Sequence, residues 1–108
     1  MKVHLQAQHV QLRLAPAELA TLLAGETIEN VTGFGASGGW TMALSLHGGD
    51  APVLLDGSTF CRIVLPRQPV EALAPLPATD GLAFRIYLDD GNVIALQLAV
   101  DADGAGQP

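Results

Sequence analysis

Leu82-Ala83-Phe84-Arg85-Ile86-Tyr87-Leu88-Asp89-Asp90-Gly91-Asn92-Val93-Ile94-Ala95-Leu96-Gln97-Leu98-Ala99-Val100 carries the pattern on which the fold reading turns. Leu82, Phe84, Ile86 and Leu88 share one parity, and Ile94, Leu96, Leu98 and Val100 share another, so each run reads as a strand with one apolar face. A two-residue turn at Asp90-Gly91 would set Ile86 opposite Ala95 and mix the faces. A three-residue loop, Asp89-Asp90-Gly91, sets Ile86 opposite Ile94 and Phe84 opposite Leu96. It also puts Gly91 at the left-handed position that a type I turn plus bulge requires. The three-residue loop is therefore expected.

Upstream, Val53-Leu54-Leu55 and Phe60 to Leu65 read as a second hairpin about Asp56-Gly57-Ser58, stopped by Pro66. Trp40, Met42, Leu44 and Leu46 alternate with Thr41, Ala43, Ser45 and His47 in the best-patterned half-buried strand of the chain. Thr27 to Phe34 reads as its neighbour across a flexible Gly35-Ala36-Ser37-Gly38-Gly39 turn. Pro69 to Ala74 is expected as a short helix with Val70 and Leu73 facing inward, before a proline-rich loop at Pro75-Leu76-Pro77.

The clearest helix spans Pro16–Ala24. Pro16 suits the first helical position, Glu18 the first turn, and Gly25 the position past the end. Leu19, Leu22 and Leu23 form its apolar stripe. Ala15 offers no side-chain acceptor as an N-cap, so packing on the sheet must hold the helix. At the N-terminus Val3 and Leu5 are odd while Val10, Leu12 and Leu14 are even, and a buried strand face cannot change parity without a break. A two-residue turn at Ala7-Gln8 and a bulge at Ala7-Gln8-His9 both satisfy the phase. Asp101 to Pro108 lacks apolar periodicity and reads as a disordered tail, and no internal repeat of usable length is visible.

These elements predict a single α+β domain over residues 1–100. Its architecture is expected to be a mainly antiparallel twisted sheet or partly closed barrel, with one clear helix packed on it. Antiparallel pairing is the expectation because parallel strands need long crossovers. The chain has 108 residues, of which 49% are hydrophobic and 15% charged, which excludes a disordered polymer. With only 5% aromatic residues the core must be thin and built from Leu, Val and Ile.

Net charge is −6, and the five cations, Lys2, Arg13, Arg62, Arg67 and Arg85, are scattered singly. No basic stripe assembles from local sequence, so no nucleic-acid partner is expected. Nor does any run approach the apolar length of a membrane span or signal peptide, so no membrane association and a cytoplasmic location are expected.

Several stretches imitate chemical motifs. Gly33-Phe34-Gly35-Ala36-Ser37-Gly38 has dinucleotide-fingerprint spacing, but a strand follows where a helix must hold the pyrophosphate. Gly35-Ala36-Ser37-Gly38-Gly39 matches a nucleophile elbow, yet it too lacks the helix, and no histidine follows a later acid. His4, His9 and His47 stand in no metal-ligand spacing, and Asp89-Asp90 and Asp101/Asp103 belong to no complete calcium loop. No metal and no cofactor are expected. Cys61 lies in an apolar run and reads as a buried free thiol. Arg62, beside it in sequence, would point to the opposite strand face.

Met1-Lys2-Val3-His4-Leu5-Gln6, Val10-Gln11-Leu12-Arg13-Leu14, Glu18-Leu19, Leu22-Leu23-Ala24-Gly25 and Phe34-Gly35 together resemble a family of small uncharacterised bacterial proteins. Their N-termini read Met-Lys-Ile-Arg-Ile, a Gly-Asn turn, Ile-Arg-Leu-Arg-Leu and then a short helix. The resemblance extends loosely through Asp56-Gly57 and Ile63-Val64-Leu65-Pro66. It implies a bacterial protein with this order of elements and transfers no catalytic residue.

With no catalytic constellation, the expected function is a non-enzymatic binding or interaction module that self-associates, as a dimer. Its strands leave more apolar face than one helix covers. Candidate contact residues are Trp40, Gly35, Ser37, His47, Cys61 and Arg62. The mobile glycine loop and the lone tryptophan suit a contact, although the parity of Trp40 also fits the core. The alternative is a small enzyme with a site at a subunit interface, drawing on His47, Asp50, Cys61 and Arg62.

Overall fold

The computed structural model describes residues 1–73 and 81–101. Eight strands run in the order β1 (Lys2–Gln6), β2 (His9–Leu14), β3 (Ile28–Gly33), β4 (Gly39–His47), β5 (Val53–Asp56), β6 (Phe60–Pro66), β7 (Leu82–Tyr87) and β8 (Val93–Val100). Helix α1 (Pro16–Leu23) follows β2, and α2 (Arg67–Glu71) follows β6. The strands form two four-stranded sheets, β1-β2-β8-β7 (sheet A) and β3-β4-β6-β5 (sheet B).

The hairpin readings agree with this register. Ile86 pairs with Ile94 and Phe84 with Leu96. Gly91 adopts φ 89°, and its N–H donates to the Leu88 carbonyl. Asp90 accepts from the Asn92 backbone and side chain, which holds its carboxyl below the usual aspartate range. The N-terminal ambiguity resolves as a hairpin. Leu5 pairs with Val10 and Val3 with Leu12 across a turn at Ala7-Gln8, with Ala7 at φ 52°.

Four expectations need correction or refinement. Pairing is mainly antiparallel, in four of the six strand pairs among the described residues, but both sheets are mixed, since β2 runs parallel to β8 and β4 parallel to β6 at the centre of each. The crossover from β2 to β8 runs through both helices and sheet B, whereas that from β4 to β6 consists of residues 48–59 with β5 of the same sheet. Nor do the strands close into a barrel: each sheet ends on unshared edges, β1 and β7 or β3 and β5. Helix α2 accompanies α1, beginning at Arg67 and not Pro69 because the extended Pro66 serves as its N-cap. Asp101 belongs to the ordered chain and not to a tail. Its N–H donates to the Leu14 carbonyl, and its carboxylate pairs with Arg13 at 3.0 Å. The expectations for residues 75–77 and 102–108 lie outside the described residues.

The two sheets are also related in a way the sequence conceals. The chain is two consecutive ββαββ units, β1-β2-α1-β3-β4 and β5-β6-α2-β7-β8. Each unit gives its first hairpin to one sheet and its second to the other. The registers repeat: Val10, Leu12 and Leu14 pair with Leu96, Leu98 and Val100, as Cys61, Ile63 and Leu65 pair with Met42, Leu44 and Leu46. Ile28 pairs with Leu44 as Leu82 pairs with Leu98. Leu19 and Leu22 of the first unit correspond to Val70 and Leu73 of the second, and all four are buried. This is an internal pseudo-twofold carried by burial and register, where identity along the chain is too sparse to read as a repeat.

The core lies between the inner sheet faces and under the helices. It is Leu, Val and Ile with Met42, as the low aromatic content requires. Helix α1 packs on β2, β3, β4 and α2. Although Ala15 makes no side-chain cap, Glu18 accepts the Ala15 N–H at 2.9 Å and also pairs with the N-terminal ammonium. At the far end the Gly25 N–H donates to Leu22 and the Glu26 N–H to Thr21, with Gly25 at φ 97° in a Schellman arrangement. Arg67 donates to the Leu23 carbonyl, so the start of α2 caps the end of α1.

Candidate functional site

Side chains on alternate positions of each sheet point away from the core, and the two outer faces differ in kind. On sheet B the outward rows, read β3-β4-β6, are Glu29–Ala43–Arg62 and Val31–Thr41–Phe60. Ser45, Val64 and Val53 form a third row, across β4, β6 and β5. Val31 is 67% exposed, Leu55 51%, Phe60 44% and Val53 41%. Thr41, Ala43 and Ser45 make β4 a strip of small residues between the bulkier flanks. The face is largely apolar, and Glu29 and Arg62 are the charges within it.

On sheet A the corresponding rows are Gln6–His9–Ala95–Arg85, His4–Gln11–Gln97–Ala83 and Lys2–Arg13–Ala99. The chain has five Lys and Arg and three His. Three of the former, Lys2, Arg13 and Arg85, and two of the latter, His4 and His9, stand on this face. A shallow depression lies over Ala83 and Ala95, walled by His4, Gln6, His9, Gln11, Arg85 and Gln97. Among the described residues Asp101 is the carboxylate bordering the face, and it is paired to Arg13.

The candidate residues read from sequence do not converge. Gly35 and Ser37 bound a 3-10 turn in the β3–β4 hairpin loop, which leads into a strand, as the rejection of both glycine motifs requires. Trp40 is half-buried and packs against the core cluster, as does Cys61 on β6. Burial, reinforced by Asp56, pushes the Cys61 thiol above its ordinary value, which disfavours a nucleophilic thiolate. Arg62 lies on the opposite, exposed face. His47 stands at the other end of β4 with both ring nitrogens engaged. Nδ1 accepts the Gly49 N–H at 2.9 Å, which leaves Nε2 to donate to the Ala51 carbonyl at 2.8 Å. The ring thereby shapes the Gly48–Ala51 loop. Among the described residues no three His, Cys, Asp or Glu side chains cluster as metal ligands, and no helix is long and apolar enough to cross a membrane.

Apart from Arg62, the outer-face residues were missed individually, although a signal was present. Phe60 and Val64 are apolar at one parity of β6 while Cys61, Ile63 and Leu65 are apolar at the other, the mark of a strand with something to cover on both sides. The convergence of His9 and Arg85 had no local signal, since it arises from parallel pairing of β2 with β8. Comparison of the chain with protein-family models, curated proteins and solved structures gives no match.

Proposed function

We propose that the chain is a non-enzymatic binding module that self-associates as a dimer through the outer face of sheet B. The carrying observation is the exposed apolar surface of Val31, Val53, Leu55 and Phe60, gathered on one face. Exposed apolar surface gathered in this way favours association because its burial releases water, at about 25 cal/mol per Å².

A second copy fits this face because its rows are self-complementary about β4. A twofold axis lying along β4 in the interface lays Phe60 of one copy over Val31 of the other, and Arg62 over Glu29. Each contact occurs twice, as a twofold interface demands. The small residues Thr41, Ala43 and Ser45 meet their own copies on the axis, where the two sheets approach most closely. One apolar pair and one ion pair of opposite sign therefore come from the same operation.

Light scattering on the size-exclusion peak tests this reading. A dimer is expected at tens of micromolar, converted to monomer by Phe60→Glu with the circular dichroism spectrum unchanged. Arg62→Glu should weaken the dimer, and Arg62→Glu with Glu29→Arg should restore it. A wild-type monomer at that concentration overturns the proposal, as does failure of the double charge reversal to recover what the single one loses.

A further inference from the structure

We propose that the depression on the outer face of sheet A binds a small oxyanion, a carboxylate or phosphate group of an organic ligand, seated over Ala95 between His9 and Arg85. The inference deepens the binding-module reading by naming a ligand class, and it is independent of the self-association face on sheet B.

Cation placement is the first support. The chain is strongly acidic, with net charge −6, yet three of its five Lys and Arg residues and two of its three His residues are on this one face. Such a concentration against the overall charge creates a local attraction for anions in a protein whose remaining surface repels them. Among the described residues Arg13 is neutralised by Asp101. Arg85 has no ion pair there, and neither Arg85 nor His9 has a side-chain hydrogen bond.

Geometry is the second. Arg85, Ala95 and His9 are register partners on the adjacent strands β7, β8 and β2. Adjacent strands are about 4.8 Å apart, so the Arg85 and His9 backbones stand about 10 Å apart with only the Ala95 methyl between them. Two long donor side chains over a one-carbon floor leave room for an oxyanion. The guanidinium fork matches a carboxylate or phosphate edge with two parallel N–H···O bonds, and the imidazole supplies a donor from the other side. His4, Gln6 and Gln11 line the same depression and can meet the ligand's polar body.

The pseudo-twofold supplies a third. The row Arg85–Ala95–His9 occupies the place in sheet A that Val31–Thr41–Phe60 occupies in sheet B. One architectural position therefore carries an arginine–histidine pair in one sheet and an apolar pair in the other. A small ligand is favoured over a nucleic-acid strand because Arg85 and His9 flank one cell of the sheet while Lys2 stands two rows away, and because a polyanion would meet the chain's net negative charge on either side of it.

An amide NMR titration with inorganic phosphate, and separately with acetate, at ionic strength matched by chloride, tests the site. Saturable shifts centred on His9, Ala95 and Arg85 are expected with at least one anion, the tighter of the two distinguishing a phosphate from a carboxylate ligand. Arg85→Gln should weaken that affinity about tenfold, the loss expected for one charged hydrogen-bonded group. Lys2→Gln removes the same charge from the far end of the same face, two rows from the depression, and should leave it within about twofold. Light scattering of Arg85→Gln should be unchanged, so failure here is separable from failure of the dimer. Shifts no larger than those from chloride overturn the proposal, as does equal weakening by the Arg85 and Lys2 variants. So does binding of a single-stranded oligonucleotide along Lys2, Arg13 and Arg85 when phosphate and acetate give none.

Discussion

At Ala7 the main chain adopts φ 52°, the one non-glycine residue with positive φ among those described. A Cβ in the left-handed region crowds the following carbonyl at about 1–2 kcal/mol. The β1–β2 register leaves two residues for the turn, and a turn matching the strand twist needs this conformation. Parity alone showed that the chain breaks here, but it could not choose hairpin over bulge, since neither Ala nor Gln has a turn preference. Ala7→Gly should therefore stabilise the protein. Relief of the left-handed strain exceeds the added unfolded-state entropy by a net of roughly 0.5–1 kcal/mol. Urea denaturation checks it: a higher midpoint at unchanged slope is expected, whereas a lower midpoint would show that Ala7 is not strained in the folded turn.

Helix α1 shows how an element can be capped without a capping residue. Burial pushes the Glu18 carboxyl pKa upward, but hydrogen bonds from the N-terminal ammonium and the Ala15 N–H outweigh it, and the net pKa is lowered. A carboxyl with a depressed folded pKa adds stability that is fully present above its unfolded pKa, about 4.3, and is lost as pH falls through the folded value. Glu18→Gln should thus destabilise the protein most at neutral pH, and the gap between variant and wild type should close as pH is lowered through the carboxylate range. Thermal melts across that range measure it; a gap that persists undiminished in acid would show that the charge of Glu18 is not what holds the cap. The elements themselves were largely legible, because the β5–β6 and β7–β8 hairpins and α1 follow from local parity, proline and glycine. Their partners were not. No local pattern tells Leu12 that it will lie beside Leu98 in parallel, and the buried faces of β2 and β8 read the same whichever way the neighbour runs. The contact residues suffered the same limit: Arg85 and His9 look like scattered polar positions until that pairing places them on one row.

On the scale of the whole molecule, neither ββαββ unit owns a sheet. The first unit supplies β1-β2 to sheet A and β3-β4 to sheet B, and the second supplies β7-β8 and β5-β6 in the same places. The parallel seams β2–β8 and β4–β6 therefore lie between the units, and they carry buried side chains on both sides, Leu12 with Leu98 and Leu44 with Ile63. A unit alone would keep two separate hairpins and a short helix with their apolar faces open, and isolated hairpins are marginal in water. The units are joined through the Gly48–Ala51 loop, whose shape rests on the His47 ring and not on strand pairing. Opening the chain between Gly48 and Gly49 should consequently yield two fragments that are each largely unfolded. On mixing at equal concentration they should recover the circular dichroism spectrum and cooperative melting of the intact chain, at a midpoint that rises with concentration because folding has become bimolecular. Two fragments that each melt cooperatively alone would mean that the hairpins pair within units, and the exchanged-hairpin architecture would have to be abandoned.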